Sequence, residues 1–398
     1  MCADAAIRWI PVHEAGDVRM GKQLSPASRE AAGQFPYLRV ANVHLGRIDY
    51  ADVNMMGFSS REREAYGLKP GDILLNEGQS LELVGRSAIY EGADGEYCFQ
   101  NTLVRFRPSE QVLSAYAQVI FARWLATGVF AAIAKQTTSI AHLGGERFAA
   151  VEFPLLALAE QQRIVEVIDA VSAQERAIES SIAKLQSVRQ GMLEVSFSGG
   201  VWPRVPLESV AHVGGGLALG GTTAGMGALE VPYLRVANVQ DGHISTRDMK
   251  TVWVTLAESE RFLLKRGDVL LTEGGDLDKL GRGGVWDGRI DPCLHQNHVF
   301  RVRCETGKIE PDFLALYLTS LEGRGYFMRV AKQTTNLASI SSSQVKSMPV
   351  PCPLLTEQRW IIEALQSCDT QIGQERAELS KLRKLKQGVV DDLLAERV

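Results

Sequence analysis

The sequence predicts an α+β protein in which two similar mixed modules are each followed by a long helix. Two observations lead to this prediction. The octapeptide that begins at Pro36 recurs unchanged at Pro232, about half the chain later. After each module, apolar residues follow a seven-residue spacing that is typical of long paired helices. A repeat of this length indicates a duplicated domain, because solenoid units have only about 20–50 residues. We expect four segments: residues 1–153, 154–198, 199–350 and 351–398.

The duplication extends beyond the octapeptide. Further matched pairs follow in the same order in both halves: Lys69–Gly78 and Lys265–Gly274, Gly85-Arg86 and Gly281-Arg282, Gln100-Asn101 and Gln296-Asn297, and Lys135–Thr138 and Lys332–Thr335. Two similar modules in one chain are suited to binding two similar sites at once.

Each module contains short β-branched or apolar runs next to Gly, Pro or Asp, which predict strands. These runs are Tyr37–Val43, Ile73–Leu75, Val84–Tyr90 and Leu103–Phe106 in the first copy, and Tyr233–Val239, Val269–Leu271, Val285–Trp286 and Val299–Val302 in the second. Helices are predicted over about Leu113–Ala134 and Pro311–Val330, the second beginning with a proline that favours a first helical turn. Each module is therefore expected to be α+β.

The closing segment of each copy predicts a long helix with an apolar stripe. The residues expected to pair the two helices are Ile164, Val171, Ile178 and Leu185 in the first, and Ile361, Cys368, Leu382 and Val389 in the second. Val167 and Val188 are assigned to the same stripe, as is Leu385 of the second helix. A stripe at this spacing is also typical of a surface that faces a core. Two stripes at equivalent places favour helices that pair with each other.

Composition places the chain among ordered globular proteins. Hydrophobic residues make up 45% and charged residues 23%, and no unbroken apolar run approaches a membrane span. The start of the sequence lacks the pattern of a signal peptide, and the six cysteines show no matched spacing. We expect reduced thiols, a cytoplasmic location and no membrane partner. The net charge of −4 provides no bulk attraction to nucleic acid.

The sequence offers only weak evidence for a catalytic or metal site. Gly16–Lys22 matches most of a phosphate-binding loop, but Gln23 stands where Ser or Thr would hold magnesium. Cys293, His295 and His298 have zinc-ligand chemistry, yet no fourth ligand is evident. We therefore expect no metal, no cofactor and no catalytic residue in this chain.

One acidic pattern keeps a nuclease alternative open. Asp72 with Glu77, and Asp268 with Glu273, recur at equal spacing, as a metal-dependent nuclease could use. The adjoining Gly and Pro residues suggest instead a turn between strands.

Repeated polar residues are candidates for nucleic-acid contacts. The Lys-Gln-Thr-Thr segments at Lys135 and Lys332 offer a cation, an amide and hydroxyls that suit phosphates and base edges. The hydroxyls would equally suit capping of the next element. Arg39 with Asn42 could simply brace a strand. The charged loop 276–282 differs strongly in sequence from its counterpart 79–86. Two modules that recognise different short sequences would require such a difference. Drift in an exposed loop would also produce it.

Several of these segments together resemble one family, the specificity subunits of type I restriction–modification systems. The resemblance spans nearly the whole chain and rests on the Gln-Asn turns, the Lys-Gln-Thr-Thr segments and the ends of the long helices. The helix motifs are Glu160–Arg163 and Ser187–Gly191 in the first copy, and Glu357–Arg359 and Lys384–Gly388 in the second. His295–His298 resembles one subtype of recognition domain.

The resemblance implies two target-recognition domains separated by two antiparallel coiled-coil helices, with approximate two-fold symmetry. Each domain would read one half of a bipartite double-stranded DNA sequence, and the helices would set the spacer and dock two methyltransferase subunits. Motor-nuclease subunits would join them and carry out cleavage.

On this basis we expect DNA contacts from a set of basic, amide and hydroxyl residues: Lys22, Arg86, Lys135, Gln136, Thr137, Thr138, Lys279, Arg282, Lys332, Gln333, Thr334, Thr335 and Asn336. Two alternatives stay open, a stand-alone metal-dependent endonuclease and a coiled-coil scaffold that binds only protein.

Overall fold

The computed structural model describes residues 7–31, 33–136, 139–198, 202–218, 228–277, 280–333 and 338–395. Residues 393–395 are described by their backbone alone. The chain divides into two compact units. Unit 1 comprises Met1–Glu179 with Ala377–Val398, and unit 2 comprises Ser180–Arg376. Each unit therefore contains one mixed module together with part of each long helix.

Unit 1 begins with the first mixed module. Its strands are β1 (Arg8–Pro11), β2 (Gly16–Met20), β3 (Gln34–Leu38), β4 (Val43–His44), β5 (Arg47–Ile48), β6 (Asn54–Gly57), β7 (Ile73–Asn76), β8 (Gly78–Gln79), β9 (Ser87–Ile89), β10 (Cys98–Phe99), β11 (Leu103–Pro108), β12 (Lys135–Gln136), β13 (Ala141–His142) and β14 (Glu152–Leu155). Its helices are α1 (Val12–Ala15), α2 (Pro26–Glu30), α3 (Ser60–Tyr66), α4 (Ser114–Ala126), α5 (Val129–Ile133) and α6 (Gly145–Ala149). The long helix α7 (Leu158–Phe197) follows.

The second mixed module lies in unit 2. Its strands are β15 (Arg204–Pro206), β16 (Ala211–Gly214), β17 (Leu229–Leu234), β18 (Lys250–Val254), β19 (Val269–Thr272), β20 (Gly274–Gly275), β21 (Gly283–Val285), β22 (Leu294–His295), β23 (Val299–Cys304), β24 (Lys332–Gln333), β25 (Ala338–Ser339) and β26 (Pro349–Pro351). Its helices are α8 (Leu256–Phe262), α9 (Pro311–Thr319), α10 (Leu321–Val330) and α11 (Ser342–Lys346), and the second long helix is α12 (Leu355–Ala395).

The two modules share one sheet topology. A four-stranded antiparallel sheet has the order β2-β11-β7-β9 in unit 1 and β16-β23-β19-β21 in unit 2. A three-stranded mixed sheet has the orders β10-β3-β6 and β22-β17-β18. The strands β7 and β19 are buried at every position, which explains the apolar runs Ile73–Leu75 and Val269–Leu271.

The repeated octapeptide does not form the strand predicted over Tyr37–Val43. Strand β3 ends at Leu38, and a 3₁₀ turn follows at Val40–Asn42. The buried side chain of Asn42 accepts a hydrogen bond from the Arg39 backbone N–H at 3.0 Å and donates to the carbonyl oxygens of Asp49 and Asp52. Asn238 makes the equivalent bonds in unit 2. The side-chain amide replaces the ladder partner, so the strand stops early.

The helix predicted over Leu113–Ala134 is two helices. Helix α4 ends at Ala126 and α5 begins at Val129, because Gly128 lies between them with a φ of 80°. In unit 2, helices α9 and α10 are likewise separate, and the hydroxyl of Ser320 caps the second of them through the N–H of Gly323.

Each long helix is anchored at its start by a fully buried glutamine. The Gln161 oxygen accepts from the Leu113 N–H at 2.8 Å, and its amide donates to the carbonyls of Gln111 and Leu156. In unit 2, Gln358 accepts from the Glu310 N–H at 2.8 Å. This bonding gives the glutamine of each Glu-Gln motif a structural role.

The two long helices pair antiparallel within each unit. In unit 1, Glu175 contacts Lys386 at 2.9 Å and Glu179 contacts Arg383, so ascending positions of α7 meet descending positions of α12. In unit 2, the Ser181 hydroxyl donates to Glu375 at 2.8 Å. Further along, Arg189 bonds Asp369 through two nitrogens, again in antiparallel order. The predicted class, two mixed modules with paired long helices, is confirmed.

Most of the predicted stripe faces the interior. Ile164 and Ile361 are buried, and Val171, Ile178, Leu185, Cys368, Leu382 and Val389 are half-buried. The assignment of three further residues to the stripe was wrong, since Val167, Val188 and Leu385 are 39%, 53% and 58% exposed. Charged residues occupy part of the stripe instead, among them the half-buried Glu175 and Arg189, because the other helix supplies their ion-pair partners.

Other sequence expectations concern membranes and thiols. In the part of the chain that the structure describes, no helix has both the length and the apolar character to span a membrane. Cys98, Cys293, Cys304, Cys352 and Cys368 are free thiols. Burial raises the pKa of Cys98, Cys293 and Cys304 to about 12, so these thiols are poorly reactive.

Candidate functional site

Each unit carries a small polar sheet beyond the end of its buried central strand. The sheet has the order β12-β13-β8 in unit 1 and β24-β25-β20 in unit 2, and we term it the polar hairpin of that unit. The registers correspond: in unit 1 the cross-strand neighbours are Lys135, His142 and Gly78, and in unit 2 they are Lys332, Ser339 and Gly274.

The Lys-Gln residues of both hairpins are exposed. Lys135 and Gln136 form strand β12, and Lys332 and Gln333 form strand β24; all four are exposed. Their ammonium and amide groups can reach a ligand in solvent, as contacts to phosphates or base edges require. The other predicted members of these segments, Thr137, Thr138, Thr334, Thr335 and Asn336, lie outside the described residues.

A carboxylate and a histidine meet beside each hairpin. Glu77 follows strand β7, and its carboxylate lies 2.9 Å from Nδ1 of His142. Glu273 follows strand β19 at the equivalent position, and its carboxylate lies 2.8 Å from Nδ1 of His298. Sequence reasoning missed both pairs. The recurrence of the two glutamates was visible, but their histidine partners come from different parts of the module.

The repeated Gly-Arg dipeptide places an arginine near each hairpin. Gly85 has a φ of 83°, and a Cβ there would lie 2.3 Å from the Phe130 ring, so only glycine fits. The half-buried Arg86 follows it, and burial lowers the pKa of its guanidinium below the ordinary value. In unit 2, Gly281 has a φ of 65° and contacts Phe327 in the same way.

The unit 2 arginine of this dipeptide, Arg282, is half-buried and lies 3.4 Å from the Gln240 amide oxygen. Lys279, predicted as a DNA contact in the same loop, lies outside the described residues. Both remain predictions.

Lys22 is engaged within its own module. Its ammonium lies 2.7 Å from Glu62, donates to the Gly57 carbonyl at 2.7 Å and sits over the Phe58 ring. The hydrogen bond from Lys22 lowers the pKa of the Glu62 carboxyl. A phosphate contact at Lys22 would have to replace these interactions, and it remains a prediction. The preceding Gly16–Met20 segment is strand β2, which lacks the loop-to-helix geometry of a phosphate-binding loop.

The repeated aspartates hold the fold together. Asp72 is 1% exposed, forms two hydrogen bonds with Arg107 at 2.6 and 2.7 Å, and accepts from the Lys69 N–H. Asp268 makes the same contacts with Arg303 and Lys265. These carboxylates are used in buried ion pairs, so the proposed pairing with Glu77 and Glu273 around a metal is not supported.

Cys293, His295 and His298 are likewise separate. His295 is fully buried and bonds the Val299 carbonyl at 2.8 Å through Nδ1, whereas His298 bonds Glu273. Over the described residues, no group of three or more His, Cys, Asp or Glu side chains is arranged to hold a metal ion.

Comparison with known proteins identifies the family. The family model of the type I restriction modification DNA specificity domain matches twice, over residues 11–187 and 202–384. The chain therefore belongs to this family, which supports sequence recognition on DNA over the nuclease and scaffold alternatives. Family membership also implies DNA and methyltransferase partners.

Two relatives match along most of the chain. The EcoKI specificity subunit of Escherichia coli strain K12 is 22% identical over 89% of this chain and 80% of its own length. The StySPI specificity subunit of Salmonella potsdam is 23% identical with the same coverage, 89% and 80%.

Solved structures of this fold are also similar. One, from work on complex assembly and conformational transition of the type I R-M system, has a TM-score of 0.65 at 17% identity and covers 99% of this chain and 98% of its own. The HsdS subunit from Thermoanaerobacter tengcongensis has a TM-score of 0.55 at 17% identity, covering 99% and 97%. At these identities the likeness shows the fold.

Proposed function

We propose that each unit reads one half of a bipartite DNA sequence and that the paired helices set the distance between the halves. The observation that carries this proposal is the duplication itself: one sheet topology occurs twice, and each copy presents an exposed Lys-Gln hairpin. The recognition domains would be residues 1–153 and 199–350, with residues 154–198 and 351–398 as spacers.

The polar hairpins are the proposed DNA-facing elements. Lys135 and Lys332 are suited to phosphates, and Gln136 and Gln333 to the edge of adenine. Arg86 and Arg282 follow glycines that fix the adjoining loops, and we propose that their guanidiniums add to the same DNA-facing surface. On the evidence of the sequence, we also include as DNA contacts Thr137, Thr138, Thr334, Thr335 and Asn336.

The chemistry is assigned to partner subunits. We propose that two methyltransferase subunits dock on the helix pair and that motor-nuclease subunits join the complex. The buried aspartates and the separated Cys293, His295 and His298 supply no assembled catalytic group. The net charge of −4 agrees with a subunit that binds DNA weakly until its partners also hold the phosphates.

Mapping methylated adenines in the host genome, with and without this gene, tests the proposal. Two short sequence blocks at a constant gap should be methylated and should lose methylation on deletion. Purified chain alone, incubated with magnesium and plasmid, should leave the DNA intact. A methylation pattern that survives deletion, or cleavage by the isolated chain, contradicts the proposal.

A further inference from the structure

The same carboxylate–imidazole pair forms in both units from histidines at non-equivalent positions. His142 lies on strand β13 of the polar hairpin, where unit 2 has Ser339 in the same register. His298 lies in the turn before strand β23, where unit 1 has Thr102: the Glu77 N–H donates to the Thr102 carbonyl, and the Glu273 N–H to that of His298. Each glutamate therefore has a histidine partner, supplied by a different element.

Stability gives little reason for such a pair. The side chains of His142 and His298 are 46% and 59% exposed. Exposed pairs of this kind contribute little to folding, because water screens the charges and ordering the side chains costs entropy. The pair does, however, fix the orientation of a ring that reaches solvent.

The geometry also fixes the tautomer of the neutral ring. A carboxylate can only accept, so the bond from Nδ1 places the imidazole proton on Nδ1. Nε2 then keeps its lone pair. Neither Nε2 has a hydrogen-bond partner among the described residues. In unit 1, Lys135 and His142 are directly paired across strands β12 and β13, so their side chains lie on the same face of the hairpin.

We propose that Nε2 of His142 and of His298 reads a base edge in the major groove, accepting from the exocyclic amino group of adenine or cytosine. Glu77 and Glu273 are the positioning residues that orient these rings. This inference rests on the proposed function, in which each unit binds one half of the DNA target. Because the two rings come from different elements, they approach the DNA differently and can select different positions within their half-sites.

The two modules supply matched substitutions. His142→Ser introduces the residue that unit 2 carries at this register, and His298→Thr introduces the residue that unit 1 carries in its turn. Each complex with its methyltransferase partner is used to methylate a randomised DNA library. His142→Ser should relax base preference at one or two positions of one block, on the order of tenfold. The other block should keep its base preference and serves as the internal control. His298→Thr should relax base preference in that other block and leave the first block unchanged.

Glu77→Gln and Glu273→Gln test the positioning role. They should relax the same positions as the corresponding histidine variants, but less, since an amide oxygen still accepts from Nδ1. A merely structural role would lower methylation at every site without altering base preference.

Base analogues test the contact itself. Purine in place of adenine, or 2-pyrimidinone in place of cytosine, removes the exocyclic amino group at the relaxed position. This change should weaken binding by the wild-type complex on the order of tenfold and leave binding by the histidine variant unchanged.

Three results would overturn the inference: an unchanged motif in both histidine variants, uniform loss that indicates a phosphate contact, or equal analogue effects in wild type and variant. If the wild-type complex shows no bipartite motif, the proposed function itself fails, and the two failures are thereby distinguished.

Discussion

A few buried polar side chains determine how each module meets its long helix. Gln161 makes three hydrogen bonds to backbone groups of unit 1 and is fully buried. The adjacent Gln162 is exposed, and its amide donates to Glu166, one turn along the helix. The neighbouring glutamines of one motif thus have different roles, which their sequence does not distinguish.

Gln161→Leu should destabilise unit 1 by about 1–3 kcal/mol, because it leaves the Leu113 N–H and two carbonyls without partners. Gln162→Leu is the matched control and should change the free energy of unfolding by less than about 0.5 kcal/mol. Urea denaturation of the full chain, with hydrogen exchange to follow unit 1, measures both. Equal effects would show that the buried amide does not anchor the helix.

His295 makes the stability of unit 2 depend on pH. Burial lowers its pKa to about 4, and Phe99 occupies the equivalent strand position in unit 1. The folded state favours the neutral ring, so its stability is complete above the unfolded pKa of about 6.5 and falls as the pH drops towards 4.

Between pH 7.5 and pH 5 this histidine should cost unit 2 about 2 kcal/mol. His295→Phe introduces the residue that unit 1 carries at this position, and it should reduce the pH dependence by that amount. Hydrogen exchange in strands β17 and β22 at both pH values gives the measurement. Identical pH profiles for the two proteins would contradict the assignment.

Residue patterns in the sequence located the Lys-Gln segments and the Gly-Arg turns but not the carboxylate–imidazole pairs. Comparing the two copies finds only residues at equivalent positions, and His142 and His298 are not equivalent. The early end of strand β3 was missed for a related reason. From the sequence alone, Asn42 is placed inside a strand as a bracing residue, whereas its three hydrogen bonds to backbone groups hold the turn that follows β3.

At the level of elements, the polar hairpin and the turn Lys69–Asp72 lie at opposite ends of one module's central strand β7. Both places carry an exposed lysine, Lys135 and Lys69. If the hairpin is the DNA-facing end, Lys135 should contribute to DNA binding and Lys69 should not, although both side chains carry the same ammonium group.

Lys135→Ala should weaken DNA binding by the assembled complex several-fold and lower the slope of log affinity against log salt by about 1, since one phosphate contact is lost. Lys69→Ala is the matched control and should leave both quantities unchanged. Binding titrations over a series of salt concentrations provide the test. A larger effect at Lys69 would place the DNA at the other end of the strand.

The long helices were the elements best predicted from sequence, because a heptad pattern depends on short-range periodicity. The pattern failed at Val167, Val188 and Leu385, where hydrophobicity alone assigned a face. Polar residues such as Glu175 take stripe positions because Lys386 neutralises them, which requires knowledge of the facing helix.

If helix length sets the gap in the target, one added heptad in each helix should lengthen the gap. We propose insertion after Glu179 in α7 and after Arg376 in α12, which keeps the stripe in phase. Seven residues add about 10.5 Å, equivalent to about three base pairs. The methylated blocks should keep their sequences while the gap grows. An unchanged gap would show that helix length does not set the spacing between the two blocks.

For the whole molecule, duplication explains why one chain contains the same fold twice. The loops of the two copies are nevertheless different. The shared parts are structural: the buried aspartate–arginine pairs, the glutamine anchors and the Gly-Phe contacts under the arginines. The loops 79–86 and 276–282 differ strongly in sequence, and both contain residues proposed to contact DNA. The duplicated scaffold was readable from sequence because identical core requirements preserve identical residues in both halves. The base contacts were not, because they depend on loop geometry.

The most direct test of this account replaces residues 1–153 with the corresponding module of another specificity subunit and maps methylation by the assembled complex. The account predicts that one sequence block changes to that of the donor, while the other block and the gap remain as in the wild type. A change in both blocks, or in neither, would contradict the claim that each unit reads its own half of the target.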